Sequence, residues 1–447
     1  MTASKHMAQP SEPHSISAER DKKSISMPVL ALLLVGIFWG ALILVFCIPV
    51  HLMKNNLLAS EQIMESESAY PISYTTGISY DNFTVSIMLD EAATRSGNPI
   101  GDSVEARYYF DADIISTIAH SINGETNVSY SRYWHGYLVF LKPLLLFFNV
   151  REIRLILQTA LLVLLGLASI AFYRRWGAHG IFYAAALLLS MGLFGAADAA
   201  ATLPIFSSFA IAAIGCFVLA WRDGWSDYDL RRFFFVIGAV TVYFDFLDNP
   251  VITLGLPLCV VLLLKYRSCK PRNLAMTLVQ AILFWGLGYG ILWVAKWILA
   301  AIVLGPSAFG DAVSQLLFRT GATNIDGMPQ TSASSAIAKN IAVVGKLAPL
   351  MGILLAVMVA CVLAAALRAR GKQRAQIIAL GCGVFLVAIL PFAWYCGASN
   401  HSDIHAGFLT YRDLIVTLCA LLTGVSEGGI LLCGQKSHMP ESGTAER

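Results

Sequence analysis

Apolar runs separated by short polar stretches recur from residue 28 to near the end of this 447-residue chain. A helix needs about 20 apolar residues to cross the hydrocarbon core of a bilayer, and ten runs approach or exceed that length. They cover residues 28–50, 153–173, 178–197, 203–221, 230–249, 250–266, 273–304, 341–367, 375–396 and 412–433. The pattern predicts an all-α polytopic membrane protein with about ten transmembrane helices.

A further apolar segment, residues 136–149, is too short to cross the membrane. As a helix it would extend about 21 Å, and Lys142-Pro143 interrupts it near the middle. We expect a shallow helix here on the outer side. The first run, residues 28–50, is longer than a signal-peptide core and is followed by no small-residue cleavage site, so it predicts a retained anchor.

The polar stretches predict how the chain is divided. Residues 1–27, rich in Ser, Pro and charge, predict a disordered tail, and residues 434–447 form a second tail. Residues 28–304 make an N-terminal transmembrane module. Residues 305–340, rich in Ser, Thr, Gly and Ala, predict a flexible outer loop before the C-terminal transmembrane helices at 341–433.

Lysine and arginine are unevenly distributed between the loops. If residues 136–149 do not cross, the later loops and the tail expected in the cytoplasm hold 15 Lys/Arg, whereas the later loops expected outside hold three, Arg319, Lys339 and Arg412. Cytoplasmic loops of membrane proteins carry such an excess. The distribution predicts that both termini are cytoplasmic, in a multi-pass protein of the plasma membrane.

Composition agrees with a membrane protein and excludes other classes. Of the residues, 57% are hydrophobic and 13% charged, and the mean hydropathy is +0.66; a soluble domain has roughly 25% charged residues. The net charge of +3, without a basic cluster interleaved with aromatics, indicates no nucleic-acid partner. The nine cysteines lie in or beside apolar runs without zinc-type spacing, which indicates apolar filling rather than disulfides or metal ligands.

The first outer loop, residues 54–135, is acidic and includes a stretch that predicts a helix. It contains eleven Asp/Glu, and SYDNFTVSIMLDEAA (79–93) has apolar spacing compatible with a short helix lying on the membrane surface. Asp81 would lie at the N-terminus of this helix. It is interpreted either as a helix N-cap or as a catalytic carboxylate, with Asp90 and Glu91 as alternatives for the second role.

An aromatic and basic cluster comes immediately before the shallow segment. YSRYWHGYLVFLKP contains Arg132, Trp134, His135 and Lys142. Trp and Tyr prefer the membrane interface, so this cluster could be an aromatic belt. The two cations also make it a candidate surface for a lipid phosphate.

Two short outer turns carry further carboxylates. Asp198 lies in GLFGAADAATLP, where a lone carboxylate at membrane depth is costly unless it is paired, hydrated or bound to a cation. Asp245 lies in YFDFLDNP and is a functional candidate for the same reason. Asp248, just before Asn249-Pro250, has turn chemistry as its strong alternative.

The motif NHSDIH, residues 400–405, falls on the same outer face. His401 and His405 would share a helical face, but HxxxH without the glutamate of HExxH is a weak indication of zinc. We interpret Asn400, His401, His405 and the nearby Arg412 as a polar, partly cationic wall for an anionic group. Helix capping by Asn400 and Ser402 is the alternative.

This layout resembles the GT-C superfamily of polytopic membrane glycosyltransferases. The resemblance rests on a cytoplasmic N-terminus, one anchor helix, Asp81 in SYDNFT, the shallow segment after RYWHGY, and Asp198 in GAADAA, and covers residues 28 to about 266. It departs in that Asp81 lies about thirty residues beyond the anchor, later than is usual in that superfamily. No strict motif identifies a subfamily.

The resemblance implies a lipid-phosphate-linked sugar donor that is used on the outer face. Asp81 would be the base, and Asp198 would orient it or hold a divalent cation, whose involvement is left open. The phosphate would bind at Arg132, Lys142, His401, His405 and Arg412, and Trp134, His135, Asp245 and Asn400 would complete the substrate site. The acceptor is unidentified, and membrane lipids are the other expected partners.

Two other classes remain as alternatives. A multi-pass transporter or lipid flippase would also have about ten helices, although such proteins show internal repeats and charges near the midplane. No convincing repeat is present, and the charges here fall at outer helix ends. A membrane-bound acyltransferase would use a buried histidine, but it would leave the acidic first loop unexplained.

Overall fold

The computed structural model describes residues 25–72, 80–324 and 330–434, and the statements below concern these residues. They fold into twenty α-helices, three short 3₁₀ turns and an isolated β-bridge between Tyr108 and Val128. The all-α class expected from the sequence is confirmed. The predicted tails, residues 1–27 and 434–447, lie almost wholly outside the described residues.

The first outer loop of the prediction is a compact layer of helices. It follows α1 (Met27–Phe46) and consists of α2 (Lys54–Glu67), α3 (Asn82–Ala93), α4 (Pro99–Glu105) and α5 (Ile118–Ile122). The predicted shallow segment, residues 136–149, contains α6 (Leu138–Leu145), which packs on α3 and completes the layer. The predicted short helix after Asp81 is confirmed as α3. It does not lie open on a surface, however, because ten of its twelve residues are buried by neighbouring helices.

The remaining helices form the bundle and its connections. The first group is α7 (Val150–Trp176), α8 (Ala178–Leu193), α9 (Ala196–Ala199), α10 (Leu203–Trp221), α11 (Asp227–Phe244), α12 (Pro250–Lys265) and α13 (Pro271–Leu304). The second group is α14 (Ser307–Arg319), α15 (Ala333–Val344), α16 (Leu347–Arg368), α17 (Gly371–Ala388), α18 (Leu390–Gly397), α19 (Ser399–Ile404) and α20 (Leu414–Leu432). α12 lies at the centre of the bundle, since every residue from Pro250 to Leu264 is buried.

Seven stretches of helix in the described residues are long and apolar enough to cross a membrane. They are Met27–Phe46, Val150–Trp176, Leu203–Trp221, Pro271–Leu304, Leu347–Arg368, Gly371–Gly397 and Thr410–Leu432. The structure is therefore that of a helical protein with several segments suited to crossing a membrane, as in a multi-pass membrane protein. The other three predicted crossings correspond to α8, α11 and α12, of 16, 18 and 16 residues, so the full count of ten and the sidedness remain predictions.

Glycines allow α11 and α13 to pack at very close range. A Cβ atom added at Gly238 of α11 would overlap the carbonyl oxygen of Trp285, and one added at Gly288 of α13 would overlap that of Phe235. Helices within membranes associate through such small residues because lipid supplies little hydrophobic drive between them. This crossing sets the position of the turn that follows α11.

The connections gather at two ends of the bundle. One end, here called the site end, carries the layer α2–α6, the turns at 194–202 and 245–249, and the segments 305–324, 330–346 and 398–413. Hydrogen bonds join these segments: Gly136 N donates to Tyr243 O at 2.8 Å, and Asn249 Nδ2 donates to Leu409 O at 3.1 Å. The site end is therefore built from segments that are far apart in the chain.

The opposite end is tied together by a buried glutamate. Glu427 of α20 accepts hydrogen bonds from Tyr183, Tyr266 and Arg267, which come from α8 and the α12–α13 connection. A buried carboxylate with these partners is compensated both in charge and in hydrogen bonding. Glu427 thus has a structural role, away from the site end.

Candidate functional site

The turn between α11 and α12 presents one carboxylate and uses another to hold its shape. Asp245 accepts hydrogen bonds from the backbone N–H groups of Leu247 (2.8 Å), Asp248 (3.1 Å) and Asn249 (3.3 Å). Tyr289 donates to it as well, at 3.3 Å. Leu247 has φ of 74°, a left-handed conformation that is unusual for a side chain of its size.

Asp248 is the carboxylate that this turn makes available. Its side chain is buried, yet its Oδ2 has no hydrogen-bond partner among the described residues. Asp248 interacts electrostatically with Asp81, Arg319 and Arg412, which come from three other segments. The turn therefore places a carboxylate where the first loop, α14 and the start of α20 meet.

Asp81 caps α3 and also faces a cation. Its two carboxylate oxygens accept from Thr84 N at 2.9 Å and Thr84 Oγ1 at 2.6 Å, which confirms the predicted N-cap geometry. The residue is 1% exposed and interacts electrostatically with Arg412. Burial raises the pKa of Asp81, although the Thr84 hydrogen bonds and Arg412 oppose that shift.

The other first-loop carboxylates have internal partners. Asp90 accepts from Thr117 Oγ1 at 2.5 Å, and burial raises its pKa to about 8. Glu91 accepts from Tyr137 and lies 3.1 Å from His135 Nδ1. Both carboxylates lie within the layer α2–α6, whereas Asp81 is the one that the structure places beside Arg412.

The two histidines of NHSDIH share one arginine. Arg319 Nη1, at the end of α14, is 2.7 Å from His401 Nδ1 and 3.1 Å from His405 Nε2. The two imidazole centroids are 4.4 Å apart. Burial lowers the pKa of both histidines, with His405 at about 3, and the Arg319 charge lowers both further.

Two other residues of the motif, Asn400 and Asp403, bind the segment that contains α15. Asn400 Oδ1 accepts from both Thr331 N and Thr331 Oγ1 at 2.8 Å. Asp403 accepts from Ser335 Oγ at 2.6 Å and pairs with Lys339. NHSDIH thus combines two histidines bound to Arg319 with two residues that anchor the neighbouring segment.

Buried N–H groups without partners accumulate around these histidines. Besides those of Arg107, Arg132 and Trp394, the unpaired buried side-chain nitrogens of the described residues belong to Arg319 (Nε), Asn400 (Nδ2), His401 (Nε2), His405 (Nδ1) and Arg412 (Nε and Nη2). We call these five residues the donor cluster. Leaving a buried donor unsatisfied costs about 1–3 kcal/mol, so several in one place indicate a site that receives an acceptor-rich group.

Acceptors without partners border the donor cluster. They belong to Asp248 (Oδ2), Asn249 (Oδ1) and Asp413 (both oxygens), again among the described residues. The arrangement places hydrogen-bond donors for an anion beside carboxylates that can accept a proton. Such a pairing fits a reaction in which a negative leaving group departs while a nucleophile loses a proton.

The RYWHGY segment borders this site and is held internally. Trp134 Nε1 donates to Leu292 O at 2.8 Å, and Lys142 Nζ donates to Ala92 O at 2.7 Å. Both side chains are almost fully buried. The first interaction attaches the layer α2–α6 to α13, and the second joins α6 to α3 within the layer.

Arg132 and His135 both contact Tyr130. Arg132 is 4.3 Å from its centroid and 3.5 Å from Asp311 of α14, and His135 Nε2 is 2.7 Å from Tyr130 O. Tyr130 in turn interacts electrostatically with Arg319. The segment is therefore adjacent to the donor cluster through Tyr130.

Asp198 lies elsewhere on the site end. It is half-buried in α9, and Phe194 of the same turn stacks on Tyr411 with centroids 6.2 Å apart. The turn thus lies against Tyr411, the residue that precedes Arg412 in the chain. The carboxylate that interacts with both Arg319 and Arg412 is Asp248.

Asp248 and Arg319 were not among the predicted site residues, although both were visible in the sequence. Arg319 was one of three basic residues in the outer loops predicted after the shallow segment, and this scarcity was the signal that could have marked it. For Asp248 the sequence offers turn chemistry as a strong alternative to a functional role, and the structure gives the turn role to Asp245.

Neither a metal-binding group of side chains nor a similar known protein identifies the site. The part of the chain that the structure describes contains no group of three or more His, Cys, Asp or Glu side chains arranged to hold a metal ion. No family model, curated protein or solved structure matches the chain.

Proposed function

We propose that this chain is a membrane glycosyltransferase that uses a lipid-phosphate-linked sugar donor at the outer face of the membrane. The supporting observation is the donor cluster, whose unpaired N–H groups lie beside the carboxylates of Asp81 and Asp248. The proposal agrees with the resemblance to the GT-C superfamily, which also rested on residues outside the donor cluster, such as Asp198. It takes the site end of the bundle as the outer end, as the charge distribution predicts.

The donor cluster suits the phosphate of the sugar donor. Two guanidinium groups, Arg319 and Arg412, provide charge, and the neutral N–H groups of Asn400 and the histidines provide direction. When the bond between the sugar carbon and the phosphate oxygen breaks, negative charge grows on that oxygen. Preorganised donors in a buried site stabilise such charge strongly.

The carboxylates suit the acceptor. A new bond forms between the acceptor oxygen and the sugar carbon, and the acceptor proton passes to Asp81 or Asp248. Burial raises the pKa of Asp81 above its ordinary value, which improves its capacity to take up that proton. Asp248 offers a free Oδ2 and faces both arginines.

The location of the site suits a lipid substrate. The donor cluster takes its residues from the end of α14, from α19 and the residue after it, and from the turn before α20, at one end of the apolar bundle. A prenyl chain would lie in the bilayer while its phosphate entered the cluster. The predicted role of Asp198, in the 194–202 turn, is to orient Asp81 or to hold a divalent cation.

The test uses the full chain in lipid nanodiscs. The donor probes are short-chain prenyl phosphates that carry radiolabelled hexoses or pentoses, and transfer of label to a cell-envelope extract is measured. Asn caps helices as well as Asp does, so Asp81→Asn should preserve α3 while removing the carboxylate. We expect this variant to lower transfer by about 100-fold or more.

A matched control comes from the same layer. Asp111 is an exposed carboxylate of the first loop, so Asp111→Asn should leave transfer unchanged. Wild-type protein that moves the prenyl phosphate across the membrane without releasing sugar would favour the flippase alternative. Equal transfer by wild type, Asp81→Asn and Asp248→Asn would refute the proposed mechanism.

A further inference from the structure

The protonation of His401 and His405 follows from their shared partner. A guanidinium nitrogen carries hydrogens and has no lone pair to offer, so it can only donate. Arg319 Nη1 has two N–H groups and two ring nitrogens within 2.7 and 3.1 Å. His401 Nδ1 and His405 Nε2 must therefore be the unprotonated, accepting nitrogens.

The opposite ring nitrogens then carry the hydrogens. These are His401 Nε2 and His405 Nδ1, and both are buried without a hydrogen-bond partner among the described residues. The carbonyl of Leu247 lies near His401 and favours a hydrogen on that ring, although no hydrogen-bond geometry is met. The two free N–H groups belong to the donor cluster.

The surroundings oppose a second proton on either ring. The imidazole centroids are 4.4 Å apart, so two imidazolium charges would repel each other in a buried place. Arg319 faces both rings with its own positive charge. The other charged groups around the pair are Asp403 with Lys339 from α15, and Asp248, Asp81 and Arg412 across the site.

We propose that Arg319 is a positioning residue that holds His401 and His405 as neutral imidazoles, whose free N–H groups bind the substrate phosphate as hydrogen-bond donors. This inference rests on the proposed function, because it takes the ligand to be a phosphate ester. The histidines exchange no proton with substrate, and Asp81 or Asp248 supplies the acid–base chemistry.

Amide side chains distinguish this role from that of a general acid. The amide of glutamine reaches the position of the imidazole Nε2, and that of asparagine reaches the position of Nδ1. His401→Gln and His405→Asn together keep the two site-facing N–H donors without a titratable ring. His401→Asn and His405→Gln together reach only the Arg319 side, with the same two residue types.

The experiment measures binding of a short-chain prenyl phosphodiester to the full chain in nanodiscs by calorimetry. A phosphodiester keeps one negative charge between pH 5.5 and 8, so its own ionisation does not contribute. We expect the double variant His401→Gln with His405→Asn to bind within about five-fold of wild type. The reverse exchange, His401→Asn with His405→Gln, should bind at least ten-fold more weakly, since two hydrogen bonds to a charged group are lost.

The pH dependence of binding provides the second readout. The neighbouring carboxylates titrate in wild type and in the variants alike, so the two pH profiles should coincide for wild type and His401→Gln with His405→Asn. Tighter wild-type binding at pH 5.5 that disappears in this variant would show an imidazolium and overturn the inference. Wild-type protein that binds no prenyl phosphodiester would instead overturn the proposed function itself.

Discussion

Asp245 and Asp248 lie three residues apart in one turn, yet their carboxylates have opposite environments. Asp245 accepts three backbone N–H groups of the turn, whereas Asp248 Oδ2 accepts no hydrogen bond from any described residue. Leu247, with its left-handed backbone, lies between them and turns the chain. One carboxylate stabilises the turn, and the other is presented to the donor cluster.

This difference predicts separate effects for the two asparagine variants. Asp248→Asn should lower sugar transfer by about 100-fold or more and leave the melting temperature nearly unchanged. Asp245→Asn should destabilise the fold by about 1–3 kcal/mol, because an amide cannot accept all of the same hydrogen bonds. Transfer assays and thermal unfolding of both variants check the prediction, and a large loss of stability in Asp248→Asn alone would contradict it.

Asp90 predicts a pH dependence of stability. Burial raises its pKa to about 8, against about 3.9 in an unfolded chain. Between about pH 4 and pH 8 the folded chain therefore holds a proton that the unfolded chain has lost, and this residue's contribution to stability falls as pH rises. Thermal unfolding should show Asp90→Asn to be more stable than wild type at pH 8.

At pH 4 the folded wild-type chain carries that proton and the unfolded chain carries about half of it, so little of the cost of the buried carboxyl remains and the advantage of Asp90→Asn should largely vanish. The variant retains an oxygen that can accept from Thr117 Oγ1, as Asp90 does at 2.5 Å. The exposed Asp111→Asn serves as control and should follow wild type at every pH. An Asp90→Asn effect that is the same at pH 4 and pH 8 would exclude the raised pKa as its cause.

Asp403 predicts local rather than global loosening. It is buried and binds Ser335 and Lys339 of α15, while the histidine pair binds α14. Asp403→Asn should increase amide hydrogen exchange in Ala333–Val344 by about ten-fold and leave α12 unchanged. Equal acceleration in both helices would indicate general destabilisation instead.

Gly238 and Gly286 predict contrasting effects of the same substitution. A Cβ at Gly238 would overlap the backbone of α13, whereas nothing lies within 4 Å of one at Gly286. Gly238→Ala should destabilise the bundle by about 1–3 kcal/mol because the helices must separate. Gly286→Ala should be neutral or stabilise by up to about 1 kcal/mol through helix propensity, and unfolding measured for the two variants checks the difference.

Local features of the site were readable from the sequence. Asp81 precedes the apolar stretch of α3, and an N-cap depends only on the next three residues, here Thr84. The long apolar helices were likewise predicted by composition and periodicity. Short buried helices such as α12 are harder to predict from sequence. The 16 residues of α12 are few for a membrane crossing, and its burial comes from neighbours distant in sequence.

The donor cluster depends on contacts that no local pattern contains. Arg319 and His401 are separated by 82 positions, and their meeting depends on how α14 lies across the site end. The pattern around Asp248 correctly indicated a tight turn. It did not indicate which carboxylate would close that turn, since Asp245 and Asp248 offer the same chemistry and differ only in backbone geometry.

The attachment of α14 has a consequence for substrate exchange. This helix buries only Ala312 and Phe318 among its thirteen residues, and polar contacts hold it at Asp311, to Arg132, and at Arg319, to the histidines. With so little apolar area buried, its detachment costs far less free energy than separating two helices of the bundle. A phosphate that binds the free Arg319 Nε and the free N–H groups of the histidines would therefore add to the hold on α14 as it binds, so that occupancy of the site and mobility of α14 are thermodynamically linked.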